Sequence, residues 1–323
     1  MKEKKEENKI LYEDVKDLFI PFDYKNKNLS MDDIILIDDN AQIKQRMEDF
    51  IVELSYQDLL VDYKLLPSRT MMFTGAPGMG KTFLAKILAC KLQYPLYILD
   101  ISQILKNGNG LDELGKIFKF VRSPENQPCI LFMDECDGIA KSRENAKVDD
   151  NVKRCTNLIM QILQEENDSF DSRLVVIAAS NFADGLDAAF MTRFMLQETF
   201  YLPNNYIPFI EMEVKKNKMF YLEKDVDDDI IKIINTNARQ KSFSIREVNA
   251  KILWVEKQEV IERKKNNKLD GNPIPIKLSS ILKEIGKQVD CDLDWVQLAQ
   301  EKEESKPNFE QKMKELKEEE LFE

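Results

Sequence analysis

A glycine-rich loop that ends in Lys-Thr is the stretch of this sequence best suited to chemistry. It has the spacing G-x-x-x-x-G-K-T and lies between an apolar run and an apolar helical pattern. Glycine lets backbone amides approach a phosphate at a distance where a Cβ would collide. A glycine-rich turn with a chance GKT is the alternative, and the strand-loop-helix context argues against it. The residues expected around the phosphates are Gly75, Ala76, Pro77, Gly78, Met79, Gly80, Lys81, Thr82 and Phe83.

The side chains near this loop predict metal-assisted phosphate chemistry. Lys81 is expected to reach the β- and γ-phosphates, and the Thr82 hydroxyl can bind Mg²⁺. Asp134 and Glu135 follow the third apolar strand, at the sheet edge where ligands of open α/β folds bind. Asp134 is expected to hold Mg²⁺ directly or through water, and Glu135 to deprotonate the attacking water. Asn181 follows the fourth strand and could hold a water or phosphate oxygen, although Asn is also an ordinary turn residue.

Short apolar strands that alternate with helices must position these groups. Strands are predicted at 71–73, 95–100, 128–133, 174–179 and 199–202, and helices at 39–63, 111–121 and 152–163. None of the strands alternates strictly between apolar and polar residues, which is typical of a parallel sheet covered on both faces. After Pro203 the pattern is helical, at 207–219, 227–236, 244–263 and 278–285, and this predicts a small helical domain.

Four regions follow from these patterns. We predict a charged N-terminal extension at 1–30, an α/β nucleotide-binding domain at 31–205, a helical lid domain at 206–300 and a charged tail at 301–323. In the extension, apolar residues between Ile10 and Ile20 favour a short helix docked on the body, with a partner-binding segment as the alternative. The tail is rich in Glu and Lys and predicts a solvated helix or a frayed end, with partner docking as the alternative.

Composition excludes several classes of mechanism. The 323 residues contain no histidine, so imidazole cannot serve as base, nucleophile or ligand. The net charge of -11 does not supply the positive field that nucleic-acid binding usually needs. The cysteines form no CxxC pair, and we expect them to be reduced thiols: Cys90, Cys129, Cys136, Cys155 and Cys291. With no signal-peptide pattern and no apolar run of roughly 20 residues, we expect a cytoplasmic protein without membrane contact.

Four motifs, in this order and spacing, resemble those of AAA+ ATPases: GAPGMGKT, ILFMDECDGIAKSR, VVIAASN and LDAAFMTRF. The first two match the Walker A and Walker B motifs, and residues 174–203 resemble the second region of homology of the narrower AAA branch. The resemblance covers about 34–203 and continues thinly to about 265. It implies an αβα sandwich with a five-stranded parallel sheet and a small helical lid. It also implies ATP and Mg²⁺ bound between subunits of a homo-oligomeric ring, usually a hexamer.

The resemblance also assigns roles to three arginines. Arg193 matches the arginine of the RF motif and is the candidate finger that reaches a neighbour's γ-phosphate, with a local salt bridge as the alternative. Arg246 resembles the sensor-2 arginine, although Ser244 and Glu247 around it form a capping box that needs no function. Arg143 matches an arginine that serves intersubunit contacts.

The loop after the second strand departs from the family pattern. Many AAA unfoldases carry an aromatic-hydrophobic-glycine triplet there, whereas this chain has Leu105-Lys106-Asn107-Gly108, which is also compatible with a passive turn. The AAA-type sequence and the acidic charge favour an ATPase that remodels or regulates a protein partner, such as a separately encoded protease or nuclease effector. Two alternatives remain open: a nucleic-acid motor or loader, and a nucleotide-gated assembly scaffold without threading activity.

Overall fold

The computed structural model describes residues 10–106, 108–140, 150–182, 186–269 and 271–289. Five parallel strands form its central sheet in the order β2-β3-β4-β1-β5, which confirms the five-stranded parallel sheet. The strands are β1 (Thr70–Gly75), β2 (Leu96–Asp100), β3 (Cys129–Asp134), β4 (Leu174–Ser180) and β5 (Leu196–Phe200).

Helices cover both faces of this sheet. They are α1 (Ala41–Ser55), α2 (Gln57–Asp62), α3 (Lys81–Leu92), α4 (Ile101–Lys106), α5 (Gly110–Val121), α6 (Asp137–Ala140), α7 (Asp150–Asn167) and α8 (Ala188–Met191). Apolar side chains of α1 and α3 pack on one face, and those of α5 and α7 pack on the other. Because both faces are covered, β1, β3 and β4 are buried along almost their whole length.

In the sheet domain, one predicted helix is divided and one predicted strand is shifted along the chain. The helix expected at 39–63 divides at Tyr56, whose backbone leaves helical geometry at φ -109° and ψ 19°. The fifth strand, expected at 199–202, is Leu196–Phe200. Its first residues look unlike a buried strand because Glu198 is polar, yet Glu198 is only 2% exposed and is held by the guanidinium of Arg46.

The N-terminal segment packs on the sheet domain. Two 3₁₀ turns, at Tyr12–Asp14 and Lys16–Leu18, take the place of the expected helix. Val15 and Phe19 are 1% and 8% exposed and belong to the core on the α5 and α7 side. The Ile20 amide donates to the carbonyl of Ile98 at 2.8 Å, which gives the edge strand β2 one antiparallel bridge.

Among the described residues, a second compact unit comprises 205–243, 248–269 and 271–289, while Ser244–Glu247 group with the first unit. It contains α9 (Ile207–Lys216), β6 (Phe220–Glu223), α10 (Asp228–Gln240), most of α11 (Ile245–Lys265), β7 (Ile274–Lys277) and α12 (Leu278–Gln288). The helical region thus holds a parallel β6-β7 pair that helical periodicity did not predict. Cys291 and the tail at 301–323 lie outside the described residues. None of the described helices is long and apolar enough to cross a membrane.

Candidate nucleotide site

The glycine-rich loop connects the end of β1 to the start of α3. Gly75, Gly78 and Gly80 have φ of +129°, +77° and +101°, which side chains rarely adopt. A Cβ on Gly75 would lie 2.2 Å from the carbonyl oxygen of Phe200 on β5. Because α3 begins at Lys81, its first backbone amides lack helical partners and are available to an anion.

Most of the other side chains in and next to the loop pack against the core of the sheet domain. Met79 is 7% exposed and lies in the core formed with α1 and α3, against which Ala76 and Phe83 also pack. Pro77 is exposed. Ala76, Met79 and Phe83 therefore turn their side chains toward the protein, so a phosphate would meet their backbone.

Lys81 has a buried ammonium group at the centre of the site. Its Nζ donates to the carbonyl oxygen of Gly75, to that of Ala76 at 3.1 Å and to Oδ1 of Asn181 at 3.0 Å. Burial lowers the pKa of Lys81 to about 8, against the opposing effect of the carboxylates of Asp134 and Asp137. A phosphate would replace these neutral oxygens with charged ones and favour the protonated amine.

Thr82 and Asp134 offer two neighbouring oxygens to a cation. The Thr82 hydroxyl donates to Oδ2 of Asp134 at 3.0 Å, from α3 to the end of β3. No group of three metal-binding His, Cys, Asp or Glu side chains occurs within the described residues. Mg²⁺ nevertheless fits this pair, because it keeps several waters and often takes only one or two protein ligands together with phosphate oxygens.

Glu135 lies beside this pair, and its backbone has neither helical nor strand geometry. It has φ of +55°, and its amide donates to Oδ1 of Asp134 at 3.0 Å. The hydroxyl of Ser102, at the start of α4, lies 2.9 Å from Oε2 of Glu135 and 2.7 Å from Oδ1 of Asp100. The Glu135 carboxylate therefore has a neutral hydrogen-bonding partner and remains exposed toward the sheet edge.

Asn181 is positioned by a carboxylate that sequence reasoning missed. Oδ1 of Asp137, on α6, accepts from the amide of Asn181 at 3.0 Å and from the hydroxyl of Ser180. This fixes the end of β4 while the side chain of Asn181 contacts Lys81. Asp137 lies only three residues after Asp134, and this closeness in sequence to the predicted carboxylates could have identified it as a site residue.

Arg246 lies beside the glycine-rich loop within the first unit. A Cβ on Gly78 would be 2.9 Å from Oγ of Ser244 and 3.0 Å from Cβ of Arg246. Ser244 and Glu247 form the capping box, with the Ser244 amide donating to Oε2 of Glu247 at 2.8 Å. The helix cap thus brings the exposed Arg246 next to the loop, and both interpretations of this motif are compatible with the geometry.

Residues 71–202 match the family described as "ATPase family associated with various cellular activities (AAA)". The segment 71–202 of this chain thus resembles an AAA-family ATPase domain. It is 30% identical over 164 residues to an uncharacterized AAA family ATPase of Sinorhizobium fredii, covering 50% of this chain and 47% of that protein. It is 30% identical over 215 residues to the proteasome-activating nucleotidase of Methanococcus maripaludis, covering 65% of this chain and 47% of the nucleotidase. The chain spans about half the length of these curated relatives.

Solved structures of similar fold are the FIGL-1 AAA domain and its complex with ADP. The free domain has a TM-score of 0.61 at 16% identity, covering 88% of this chain and 90% of that one. The ADP complex has a TM-score of 0.59 at 17% identity, covering 85% and 89%. At this identity the likeness shows the fold alone, and it agrees with the AAA+ α/β architecture predicted from the sequence.

Arg193 lies at the opposite edge of the AAA sheet from the glycine-rich loop. Its carbonyl oxygen accepts from the Thr70 hydroxyl at 3.1 Å and from Nδ2 of Asn167 at 2.8 Å, and its guanidinium donates to Gln164 at 2.8 Å. Thr70 begins β1 and Gly75 ends it, so about 16 Å of strand separates the two positions. Arg193 is therefore not brought together with the other candidate residues of its own chain.

The loop after β2 in this AAA domain is largely helical. Leu105 and Lys106 end α4, Leu105 packs against the core, and Lys106 is exposed. A Cβ on Gly110 would lie 2.5 Å from the carbonyl oxygen of Ile104, which explains the glycine there. Asn107 and Arg143 lie outside the described residues.

Proposed function

We propose that this chain binds ATP with Mg²⁺ at the glycine-rich loop and hydrolyses it. The observation that supports this most is the convergence of Lys81, Thr82, Asp134, Glu135 and Asn181 at one sheet edge, within hydrogen-bonding distance of one another or of a shared neighbour. These residues come from the ends of two strands, β3 and β4, and from the start of the helix after β1, and the buried lysine among them has only neutral oxygens as its direct partners.

Each residue has a chemical role in this proposal. The loop amides and Lys81 bind the β- and γ-phosphates, and Thr82 and Asp134 would hold Mg²⁺. The metal, when bound, neutralises charge that develops on the transferring phosphoryl group. Glu135 accepts a proton from the attacking water, and Asn181 orients that water or a γ-phosphate oxygen. Arg246 contacts the nucleotide from the helix cap.

Arg193 acts in trans in this proposal. At about 16 Å from its own glycine-rich loop it cannot contact its own γ-phosphate, but its position suits a neighbouring copy in a ring, for which we propose six subunits. Bidentate donation from a guanidinium stabilises the transition-state charge. Turnover should therefore rise with protein concentration as copies associate.

We further propose that the ring remodels or regulates a protein, such as a separately encoded protease or nuclease effector. Support comes from two relatives, the proteasome-activating nucleotidase and a putative 26S proteasome regulatory subunit homolog of Methanothermobacter thermautotrophicus, 29% identical over 180 residues. That second match covers 55% of this chain and 46% of the homolog. The acidic net charge favours protein over nucleic acid as the partner.

A nucleotide-gated scaffold is the second candidate. It is favoured by Leu105, which packs against the core at the position where a threading loop would need a free side chain. Substitution of Lys106 by Ala should then leave effector regulation intact. Loss of partner unfolding with unchanged ATPase in Lys106→Ala would instead favour threading.

The Glu135→Gln substitution tests the hydrolytic centre. It keeps the shape of the side chain and removes the base, so we expect turnover to fall about 10²–10⁴-fold with ATP affinity within about twofold. Steady-state phosphate release and calorimetric titration measure the two quantities. Glu165→Gln, on α7 at the other sheet edge, is the matched control and should behave as wild type. Wild-type turnover in Glu135→Gln would reject the assigned base.

Mixing two inactive variants tests the contribution in trans. Arg193→Ala retains its phosphate loop, and Lys81→Ala retains Arg193, so neither should turn over ATP alone. In a mixed assembly, Arg193 of a Lys81→Ala copy can complete the site of an Arg193→Ala copy. We expect mixing to restore a substantial fraction of turnover, and no recovery in assemblies shown to be mixed would reject the shared site.

A further inference from the structure

The guanidinium of Arg193 is bound on its own chain by a neutral partner. Arg193 is half-buried, and its Nη1 donates to Oε1 of Gln164, on α7, at 2.8 Å. Its Nε is buried and has no hydrogen-bond partner within the described residues. A buried N–H without an acceptor is rare in native proteins, because it has lost its contact with water and gained no bond in return. The side chain therefore lies in a position that leaves part of its hydrogen-bonding capacity unused.

The acidic residues near the end of α7 are bound to groups other than this arginine. Glu165 and Glu166 form ion pairs with Arg122 at 2.7 and 2.8 Å. Oδ2 of Asp168 accepts from Nε2 of Gln164 at 2.7 Å. Within the part of the chain that the structure describes, the arginine of the RF motif therefore forms a hydrogen bond to an amide but no ion pair.

Asp168 sets the orientation of the Gln164 amide. A carboxylate oxygen only accepts hydrogen bonds, so the Nε2 of Gln164 faces Asp168. Oε1 is then the atom that faces Arg193, and it offers the guanidinium an uncharged acceptor. The amide of Asp168 also donates to the carbonyl of Gln164 at 3.0 Å, which keeps the two residues one helical turn apart. The charge of Asp168 is therefore separated from Arg193 by a neutral side chain.

The backbone of Arg193 is held in place independently of its side chain. Its carbonyl oxygen accepts from Thr70 and Asn167. The next residue, Phe194, is 4% exposed, and its ring makes an edge-to-face contact with Phe190 at 5.1 Å. Rotation of the arginine side chain therefore requires only that its bond to the α7 amide be exchanged for another. A phosphate offers charged oxygens that bind a guanidinium more strongly, and in a bidentate manner, than one amide oxygen does.

We propose that Gln164 is a positioning residue that holds Arg193 in a retracted position on its own chain and releases it to the nucleotide of a neighbouring copy. An amide suits this role because its bond orders the guanidinium and is weaker than a bond to phosphate. A carboxylate at the same position would form an ion pair and compete with the phosphate. The inference rests on the proposed function, since it concerns how Arg193 acts in trans.

Replacing the amide by a carboxylate in the donor copy alone tests this role. Donor chains carry Lys81→Ala, which removes their own turnover, and have either Gln164 or Gln164→Glu. Both donors also carry Asp168→Asn, so that the new carboxylate does not face a like charge. Each donor is mixed with Arg193→Ala chains, whose sites depend on a donated arginine. In assemblies shown to be mixed, the Gln164→Glu donor should restore about tenfold less turnover, because its arginine stays paired on its own chain.

The same substitution in the acceptor copy is the matched control. An acceptor with Arg193→Ala, Gln164→Glu and Asp168→Asn has no arginine for the new carboxylate to hold. With the Gln164 donor, its turnover should equal that of an acceptor with Arg193→Ala and Asp168→Asn. Equal restoration by the two donors would overturn the proposal, as would an equal loss from Gln164→Glu in either copy. No restoration by the Gln164 donor would reject the shared site of the proposed function, and this inference with it.

Proton exchange at Nε measures the retracted position without any change at Gln164. In a dilute sample without nucleotide, where the chains are single, the Nε–H resonance of Arg193 is identified by its loss in Arg193→Ala. Its exchange with water should be at least about tenfold slower than that of Arg154, which is exposed on the same helix as Gln164. Exchange as fast as that of Arg154 would overturn the proposal.

Discussion

The two ends of the parallel strands differ in how their polar side chains are held. At the carboxyl edge, Lys81, Thr82 and Glu135 bond to neutral oxygens or to a single carboxylate, and Glu135 and the glycines of the loop before Lys81 have positive φ. At the amino edge, Arg69 and Glu166 are 1% and 0% exposed; Arg69 donates to the carbonyl of Ser169, and Glu166 accepts from the hydroxyl of Ser172 and pairs with Arg122. The carboxyl edge therefore has bonds that a ligand can replace, whereas the amino edge has bonds that fix a structure.

Arg193 lies at the amino edge of the sheet, although its proposed partner is a nucleotide bound by a neighbouring chain. Its carbonyl oxygen is bound by Thr70 and Asn167, and Asn167 ends the helix that also carries Glu166. A group that must meet a phosphate on another chain benefits from a rigid base, because its position cannot adjust through its own site. The comparison predicts that damage at the amino edge affects stability and trans activation, but not nucleotide binding.

The largest expected effect is that of Glu166→Ala. Glu166 lies 2.8 Å from Nε of Arg122, and burial raises its pKa while the arginines nearby oppose that shift. Removing its carboxylate leaves the buried Arg69 without its main opposing charge and leaves Arg122 with only the more exposed Glu165, so we expect a loss of about 3–5 kcal/mol in the free energy of unfolding. Denaturant titration measures this loss, and ATP affinity of the folded fraction should remain within about twofold.

Glu165→Ala is the matched control for that substitution. Glu165 also pairs with Arg122, at 2.7 Å, but its side chain is 39% exposed. Solvent screens this pair, so its loss should cost at most about 1 kcal/mol. Equal effects of the two substitutions would contradict the contrast between a buried and an exposed partner.

A smaller effect is expected from Thr70→Val, which tests the link to Arg193. The Thr70 hydroxyl lies 2.7 Å from Oδ1 of Asn167 and 3.1 Å from the Arg193 carbonyl, and it accepts from the Met195 amide at 3.1 Å. Valine keeps the volume and removes these bonds, at a cost of about 1–3 kcal/mol. If Arg193 acts in trans, turnover should also fall several-fold with unchanged ATP affinity.

Thr156→Val separates positioning from stability in that experiment. The Thr156 hydroxyl is also buried and donates within α7 to the carbonyl of Val152 at 2.8 Å. Its loss should lower stability by a similar amount without changing turnover per folded chain. A comparable fall in turnover for both variants would show that Thr70 has no specific role in holding Arg193.

Much of the candidate site could be predicted because one rule of topology brings it together. Strands of a parallel sheet end at the same edge, so Lys81, Asp134 and Asn181 are neighbours in space although far apart in the sequence. Ser102 and Asp137 escaped prediction because their contacts depend on the exact turn by which α4 and α6 leave their strands. The same limit applies to β5, because its start contains the polar Glu198, which is buried through its ion pair with the more exposed Arg46 on α1.

The unpredicted β6-β7 pair has a different cause. Each strand has four residues, and β6 alternates half-buried and exposed positions between two helices. So short a segment has too few apolar residues to show a period of two. Its pairing partner lies about fifty residues further along the chain, so local periodicity contains no information about it.

The smallest expected effect is at the carboxyl edge of the sheet, where Ser102→Ala removes the hydroxyl that lies 2.9 Å from Oε2 of Glu135. This bond holds the Glu135 side chain toward the start of α4. Without it, the carboxylate can turn toward the attacking water at a smaller cost, so turnover should rise about two- to tenfold with unchanged ATP affinity. Ser102→Thr keeps the hydroxyl and should remain near the wild-type rate. A fall in turnover in Ser102→Ala would mean that this hydroxyl positions Glu135 for the reaction, and the carboxyl edge would then share the fixed character of the amino edge.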